Sequence, residues 1–308
     1  MQQQTAKKIL LVKPVKFFKN PETATNNFFQ MDLDKNSQSE GKISELAQAE
    51  FDLFAKTLEK NHIETIIWNC KSEKTPDAIF PNNWLVTRPD HSINLMPMFA
   101  KNRRKERDWR LINFLKTTHR YKTIKDFTSF ERREQYFEGT GSAVFHHPSK
   151  TAYVSLSDRA DRDTARAIMS DFGYKTVTFQ GMQTVNGLRR PIYHTNVLLS
   201  VGERFVVVCL DSIDNKNDRR RLIESFKGNK LEIIEISEIQ MNQFCGNILQ
   251  VSNSRGQKKI IMSSKSFRGF HKHQLAKLEQ HGAIIKSPLD LIEKLGGGGA
   301  RCMMAELH

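Results

Sequence analysis

The chain has 308 residues, 38% of them hydrophobic and 27% charged, a balance expected of a soluble globular protein with enough apolar residues for a sizeable core. No run approaches the roughly 18 to 20 apolar residues of a membrane span, and the apolar part of MQQQTAKKILLVKP is too short for a secretory signal, so no membrane is expected and a cytoplasmic location is. The formal net charge of +14 raises nucleic acid as a partner, but the basic residues in RRKERDWR, KTTHRYKTIK, DRRR and QKK are dispersed among acids and carry no nucleic-acid-binding motif, so a solvated basic surface is expected.

In chain order, KILLVKP reads as a strand, Ile43 to Asn61 as a helix, and ETIIWNC and AIFPNNWLVT as strands. A basic helix is expected from about Lys101 to Thr117, then two strands in GSAVFHHPSKTAYVSLS and a helix through DRDTARAIMSDFG. TNVLLSVGERFVVVCLD reads as strand, turn, strand, followed by the helix NDRRRLIESFKG. NILQVSNSRGQKKIIMSS repeats that pattern before the helix KSFRGFHKHQLAKLEQHG. The fold class is therefore mixed α/β.

Strand-bearing units begin at Asn83, Ser142, Asn196, Asn247 and Ala300, at successive spacings of 59, 54, 51 and 53 residues by subtraction. Recurrence at a nearly fixed period marks repeat architectures. Five units of two strands, a helix and a further strand suit a closed radial arrangement whose hub gathers the residues at the unit starts.

Those starts hold Asp77, Asn82 and Asn83 in DAIFPNNW, Glu138 in FEGTGS, His194 and Asn196 in YHTN, and Cys302 in GGGGARCM. A thiol, an imidazole and a carboxylate are the parts of nucleophilic catalysis, and the four glycines before Cys302 permit a bend or a close backbone approach. The four cysteines form no CxxC pair, which argues against a zinc site and against a disulfide framework. Cys209 in FVVVCLD and Cys70 in IETIIWNC read as buried strand residues, and Cys245 in NQFCGN, near a unit start, ranks second to Cys302 as a reactive thiol. Asn26 and Asn27 in TATNNFFQ read first as an ordinary loop and second as a substrate cover.

The set TPDAIFPNNW, NRRKER, EGTGS, SDR, YHTN and GGGGARCMMAE resembles the guanidine-modifying amidinohydrolase (pentein) superfamily, which includes arginine deiminases and dimethylarginine dimethylaminohydrolases. The likeness is greatest to its amidinotransferase-like citrulline utilization branch, and it runs from VKPVKFF to the last ten residues. It implies a single catalytic domain over residues 1–308, folded as a five-bladed α/β propeller of pseudosymmetric ββαβ modules. By motif it implies Cys302 as nucleophile, His194 as general acid and base, and Glu138 as the carboxylate that binds a substrate nitrogen. Asp77 matches another polar residue of the site, and Arg103 and Arg159 match arginines that hold a substrate carboxylate, a task suited to a planar guanidinium. No metal or organic cofactor is implied.

The departures from the pattern bear on the substrate. Arginine deiminases have aspartates at the positions of Asn83 and Asn196, and dimethylargininases have an acidic pair at Asn82 and Asn83. A guanidinium cation calls for carboxylates, whereas a neutral ureido group also carries a carbonyl acceptor, which an amide side chain can match. The sequence thus points to a small amino-acid substrate and to hydrolysis of L-citrulline to ornithine, ammonia and carbon dioxide through a covalent Cys302 intermediate. It leaves open a guanidinium substrate, as in arginine deiminase, dimethylargininase or amidinotransferase chemistry, and a non-catalytic basic binding protein; an oligomer is compatible with it.

Overall fold

The computed structural model describes residues 3–32 and 39–308. Among these, one strand order recurs five times: a first strand antiparallel to a central strand, and the central strand parallel to a third. The sheets are Leu85–Arg88, Ser92–Leu95 and Thr123–Asp126; Ala143–His146, Thr151–Ser155 and Lys175–Phe179; Leu199–Val201, Phe205–Val208 and Glu232–Glu235; and Leu249–Ser252, Lys258–Ser263 and Ala283–Ser287. The fifth joins the two ends of the chain, with Ala305–Leu307 antiparallel to Lys8–Lys13 and the latter parallel to Glu64–Asn69.

A parallel pair cannot be closed by a tight turn, and each sheet spans it with a helix: Glu40–Lys60, Trp109–His119, Arg162–Phe172, Lys216–Gly228 and Lys272–His281. Each helix lays its apolar stripe on its sheet, as Leu111, Ile112 and Leu115 do. First and central strands are largely buried, Phe205–Val208 almost wholly, so they read as continuous apolar runs rather than alternating ones. No helix among the described residues is long and apolar enough to cross a membrane.

Three expected elements differ: KSFRGFHKHQLAKLEQHG, expected as one helix, forms two, Ser264–Gly269 and Lys272–His281, parted by extended Phe270 and His271. AIFPNNWLVT is a strand only at Leu85–Arg88; before it, Pro76–Ile79 and Pro81–Asn83 are short 3₁₀ turns, because each proline fixes φ and removes a ladder donor. The basic segment from Lys101 is also interrupted. Arg103–Glu106 is a 3₁₀ turn, Arg107 is extended, and the helix starts afresh at Trp109 with the Asp108 side chain accepting the Arg110 N–H. Cys209 is buried as expected and Cys70 only half-buried, and both lie one residue beyond the end of their strands rather than within them.

The unit starts come together. One-turn segments Pro81–Asn83, Gly139–Ser142, Thr195–Leu198 and Ala300–Met303 precede four of the first strands, and the turn around Asn247 precedes the fifth. Hydrogen bonds run from segment to segment: Asn82 Nδ2 to Thr140 Oγ1, Thr195 Oγ1 to the Ser142 carbonyl, Asn247 Nδ2 to the Asn196 carbonyl, and the Arg301 N–H to Asn247 Oδ1. At Gly139, with φ of +46°, a Cβ would lie 2.4 Å from the Asn82 carbonyl oxygen, so only glycine lets these two turns meet.

Candidate active site

A small pocket opens where these turns converge, lined by Asp77, Asn83, Arg103, Arg159, His194 and Cys302 of the expected set, together with Asn27, Phe80, Tyr193, Gly296 and Gly298. Glu138, Asn196 and Asn82 stand behind them, all buried. Glu138 bonds His194, Asn196 touches the thiol, and Asn82 ties its turn to Thr140.

Cys302 is within the turn Ala300–Met303, just ahead of the last strand rather than at its first residue as expected. Its Sγ accepts a hydrogen bond from Asn247 Nδ2 at 3.2 Å and lies 3.7 Å from Asn196 Oδ1. Burial raises the thiol pKa, which the Asn247 bond and the charge of Arg301 offset only in part, so the resting sulfur is protonated. Asn247, noted in the sequence only as a unit start, is therefore the closest polar partner of the expected nucleophile.

His194 is extended, immediately before the turn Thr195–Leu198, and its Nε2 is 2.8 Å from Glu138 Oε2. Burial alone would raise the Glu138 pKa, but Arg159, the bond to His194 and Arg103 hold it at about 2. Burial pulls His194 down to about 4, against the pull of Glu138. A neutral imidazole facing an ionised carboxylate must donate, which puts the proton on Nε2 and leaves the lone pair on Nδ1. Nδ1 lies against Gly141, where a Cβ would be 2.7 Å away.

The arginines are held differently. Arg103 makes two 2.9 Å bonds to Glu106 through Nε and Nη2, and bonds Asn83 Oδ1 through Nη1 at 2.7 Å and the Phe80 carbonyl through Nη2 at 3.1 Å. Arg159 bonds Asn26 Oδ1 and the Thr23 carbonyl through Nε and Nη2, while its Nη1 is 3.6 Å from Glu138 Oε2. Asp77 Oδ2 accepts from Asn20 Nδ2 and Thr23 Oγ1, but its Oδ1 has no partner; nor have Asn83 Nδ2 and Asn196 Nδ2.

The segment TATNNFFQ is part of this site. Asn26 anchors Arg159, and Asn27 Nδ2 donates to the carbonyls of Gly296 and Gly297. Gly296 ends the helix Asp290–Gly296, Gly297 adopts φ of +63°, and Gly299 leads into the turn that carries Cys302, so the glycine run is a packed bend rather than a linker. Cys245 lies outside the pocket lining, bonded to the Ser266 carbonyl and pushed by burial up to about 12.

Fold and site together define a cysteine-dependent hydrolase of linear, non-peptide carbon–nitrogen bonds. The family model described as "N,N dimethylarginine dimethylhydrolase, eukaryotic" matches residues 13–308, and the chain belongs to that family, within the guanidine-modifying superfamily that its motifs resemble. No curated protein sequence matches it. Among solved structures it is similar to the N-terminal domain of ArgZ covalently bound to a reaction intermediate (17% identity, 98% of this chain and 97% of that one, TM-score 0.72). It is also similar to full-length ArgZ, an arginine dihydrolase from the ornithine-ammonia cycle in cyanobacteria (17% identity, TM-score 0.70), covering 97% of this chain but only 40% of that one. A third is a dimethylarginine dimethylaminohydrolase adduct with S-methyl-L-thiocitrulline (15% identity, 98% of this chain and all of that one, TM-score 0.66). At these identities the likeness concerns the fold.

Proposed function

We propose that the protein hydrolyses L-citrulline to ornithine, ammonia and carbon dioxide, using Cys302 as nucleophile within a five-bladed α/β propeller. The five like sheets, the pairing of the two chain ends and the hydrogen bonds between successive unit starts support the propeller. The observation that carries the substrate is the pair of unpartnered amide donors, Asn83 Nδ2 on a pocket-lining residue and Asn196 Nδ2 on the amide whose oxygen lies 3.7 Å from the thiol, with the unpartnered acceptor Asp77 Oδ1 on another lining residue. A ureido group offers a carbonyl oxygen to the donors and N–H groups to the acceptor. A guanidinium offers no acceptor.

In this mechanism Nδ1 of His194 takes the thiol proton as Sγ attacks the ureido carbon, and the imidazolium formed is stabilised by Glu138 through Nε2. The imidazolium then protonates the departing nitrogen. One water, activated by the same imidazole, cleaves the carbon–sulfur bond, so that citrulline and a single water yield ornithine and carbamic acid, which falls apart to ammonia and carbon dioxide. Arg159, through Nη1, and Arg103, through the one Nη1 hydrogen that Glu106, Asn83 and the Phe80 carbonyl leave over, hold the substrate carboxylate. The four unpaired thiols accord with a reducing, cytoplasmic setting.

A guanidinium substrate is the second reading, favoured by Asp77 and by the raised Cys302 pKa, since a cation bound beside the sulfur would help ionise it. The names of the structural neighbours, an arginine dihydrolase and a dimethylargininase, lean the same way. Incubating the purified protein separately with citrulline and with arginine, and assaying ornithine, citrulline and ammonia, decides between the two. Ornithine from citrulline is expected; citrulline accumulating from arginine, with no ornithine from citrulline, would overturn the proposal.

A further inference from the structure

His147, Glu306 and His308 form a second cluster that shares no lining residue with the Cys302 pocket. One ligand atom from each lies within 4.8 Å of the others. Two small cavities are both lined by Phe145, His147 and Glu306, so the cluster has room for a water-sized ligand on two sides. His147 is buried beyond the strand Ala143–His146, Glu306 lies within Ala305–Leu307 and His308 follows it, so the three side chains bridge two sheets.

We propose that these residues bind one divalent ion of the zinc class, clipping the second sheet to the fifth, with water or a small ligand from the cavities in the remaining position. Two imidazoles and a carboxylate are a donor set that zinc favours, and a three-ligand site keeps a position open. Bonds of about 2.1 Å in a tetrahedron place neighbouring donors about 3.4 Å apart, so a contraction of about 1.4 Å at most is needed, within reach of the partly exposed Glu306 and His308 side chains. His147 Nδ1 is 2.7 Å from the Tyr174 hydroxyl, the outer partner that fixes a ligating imidazole and frees Nε2. Arg301 and Arg88, each lining one of the two cavities, are the cations that oppose the ion; Arg301 Nη2 holds Glu306 Oε2 at 2.8 Å, leaving one carboxylate oxygen for the ion. This site is independent of the substrate proposal.

The test uses the full chain carrying Cys302→Ala, which removes the competing active-site thiol. Calorimetric titration with zinc chloride should show one ion per chain, and cobalt(II) should give a visible spectrum of tetrahedral strength. Adding His147→Ala or His308→Ala should weaken zinc at least ~100-fold, and Tyr174→Phe about 10- to 100-fold. Glu306→Gln keeps an acceptor for Arg301 while removing the charge, and decides the matter if a histidine variant proves unfolded in a metal-free melt. Zinc should raise the Tm of the Cys302→Ala protein and leave that of the Glu306→Gln double variant unchanged. Failure of the Cys302→Ala protein to bind zinc stoichiometrically overturns the proposal, as does unchanged affinity in the folded ligand variants.

Discussion

Glu138 and Glu293 are buried alike, at 0% and 1% exposure, yet their chemistry differs. Glu138 is surrounded by Arg159, His194 and Arg103 and stays ionised, at about 2. Glu293, beneath the glycine bend, has neither oxygen hydrogen-bonded; burial drives it up to about 8, the charge of Lys265 countering only in part. Depth does not decide the state of a buried acid; the cations and donors aimed at it do. The region around Glu138 is built to hold a charge facing the His194 imidazole, and the region around Glu293 to hold a neutral acid behind the loop of Cys302, where a Cβ on Gly299 would be 3.1 Å from Glu293 Oε1.

The largest break in this contrast is at Cys302 itself. Cys302→Ala should lower turnover at least ~10⁴-fold, read from ornithine and ammonia release, with little change in Tm. Glu138→Gln should cost about 10²- to 10⁴-fold in kcat and, by leaving Arg159 without its buried counter-charge while Arg103 keeps Glu106, about 3–5 kcal/mol in a denaturant titration. It should also change acid behaviour. His194 is lowered from 6.5 to about 4 and Glu138 from 4.5 to about 2, so in both cases the unfolded chain binds more protons, and native stability falls as pH drops from about 6.5 to about 2. In Glu138→Gln the part of that fall below about pH 4.5 should shrink.

A smaller effect is expected in the glycine bend. A Cβ at Gly298 would be 3.1 Å from the Cys302 Cβ and 3.0 Å from the Phe80 ring. Gly298→Val should therefore reduce kcat/KM on the order of 10²-fold while the protein still folds cooperatively, since displacing a reacting atom by about 1 Å has that cost. Equal losses in turnover and in folding would show that the bend merely packs. The smallest effect belongs to Glu293→Gln. An acid raised from 4.5 to about 8 is protonated in the native state, so its contribution to stability is present below about pH 4.5 and fades as pH rises towards 8. The amide escapes that loss, and the variant should gain about 1–3 kcal/mol over the parent at pH 8 and little at pH 5, measured by chemical denaturation.

Most of the secondary structure was legible because apolar periodicity is a local property: the central strands and the five crossover helices lie where KILLVKP, FVVVCLD or KHQLAKLEQHG place them. Pro76, Pro81 and Asp108 were the local signals for two of the three elements that differ, outweighed there by the apolar and basic runs around them. Cys302, His194 and Glu138 could be named because each stands in a distinctive short motif. Asn247 could not. Its bond to the thiol spans 55 residues, and a lone asparagine in QFCGN has no local mark of that contact. Asn26 and Asn27 read as a loop for the same reason, although one anchors Arg159 across 133 residues and the other the glycine bend across 269.

The sequence by itself determined the α/β alternation, the spacing of five units and the chemical identity of the expected reacting groups, because these reside in residue type and short-range order. Tertiary structure alone decided that the last strand pairs with the first, that Arg103 is committed to Glu106, that Asn247 touches the sulfur, and which buried groups carry charge. Those outcomes depend on the desolvation and long-range contacts that exist only once the chain ends meet and water has been excluded from the hub.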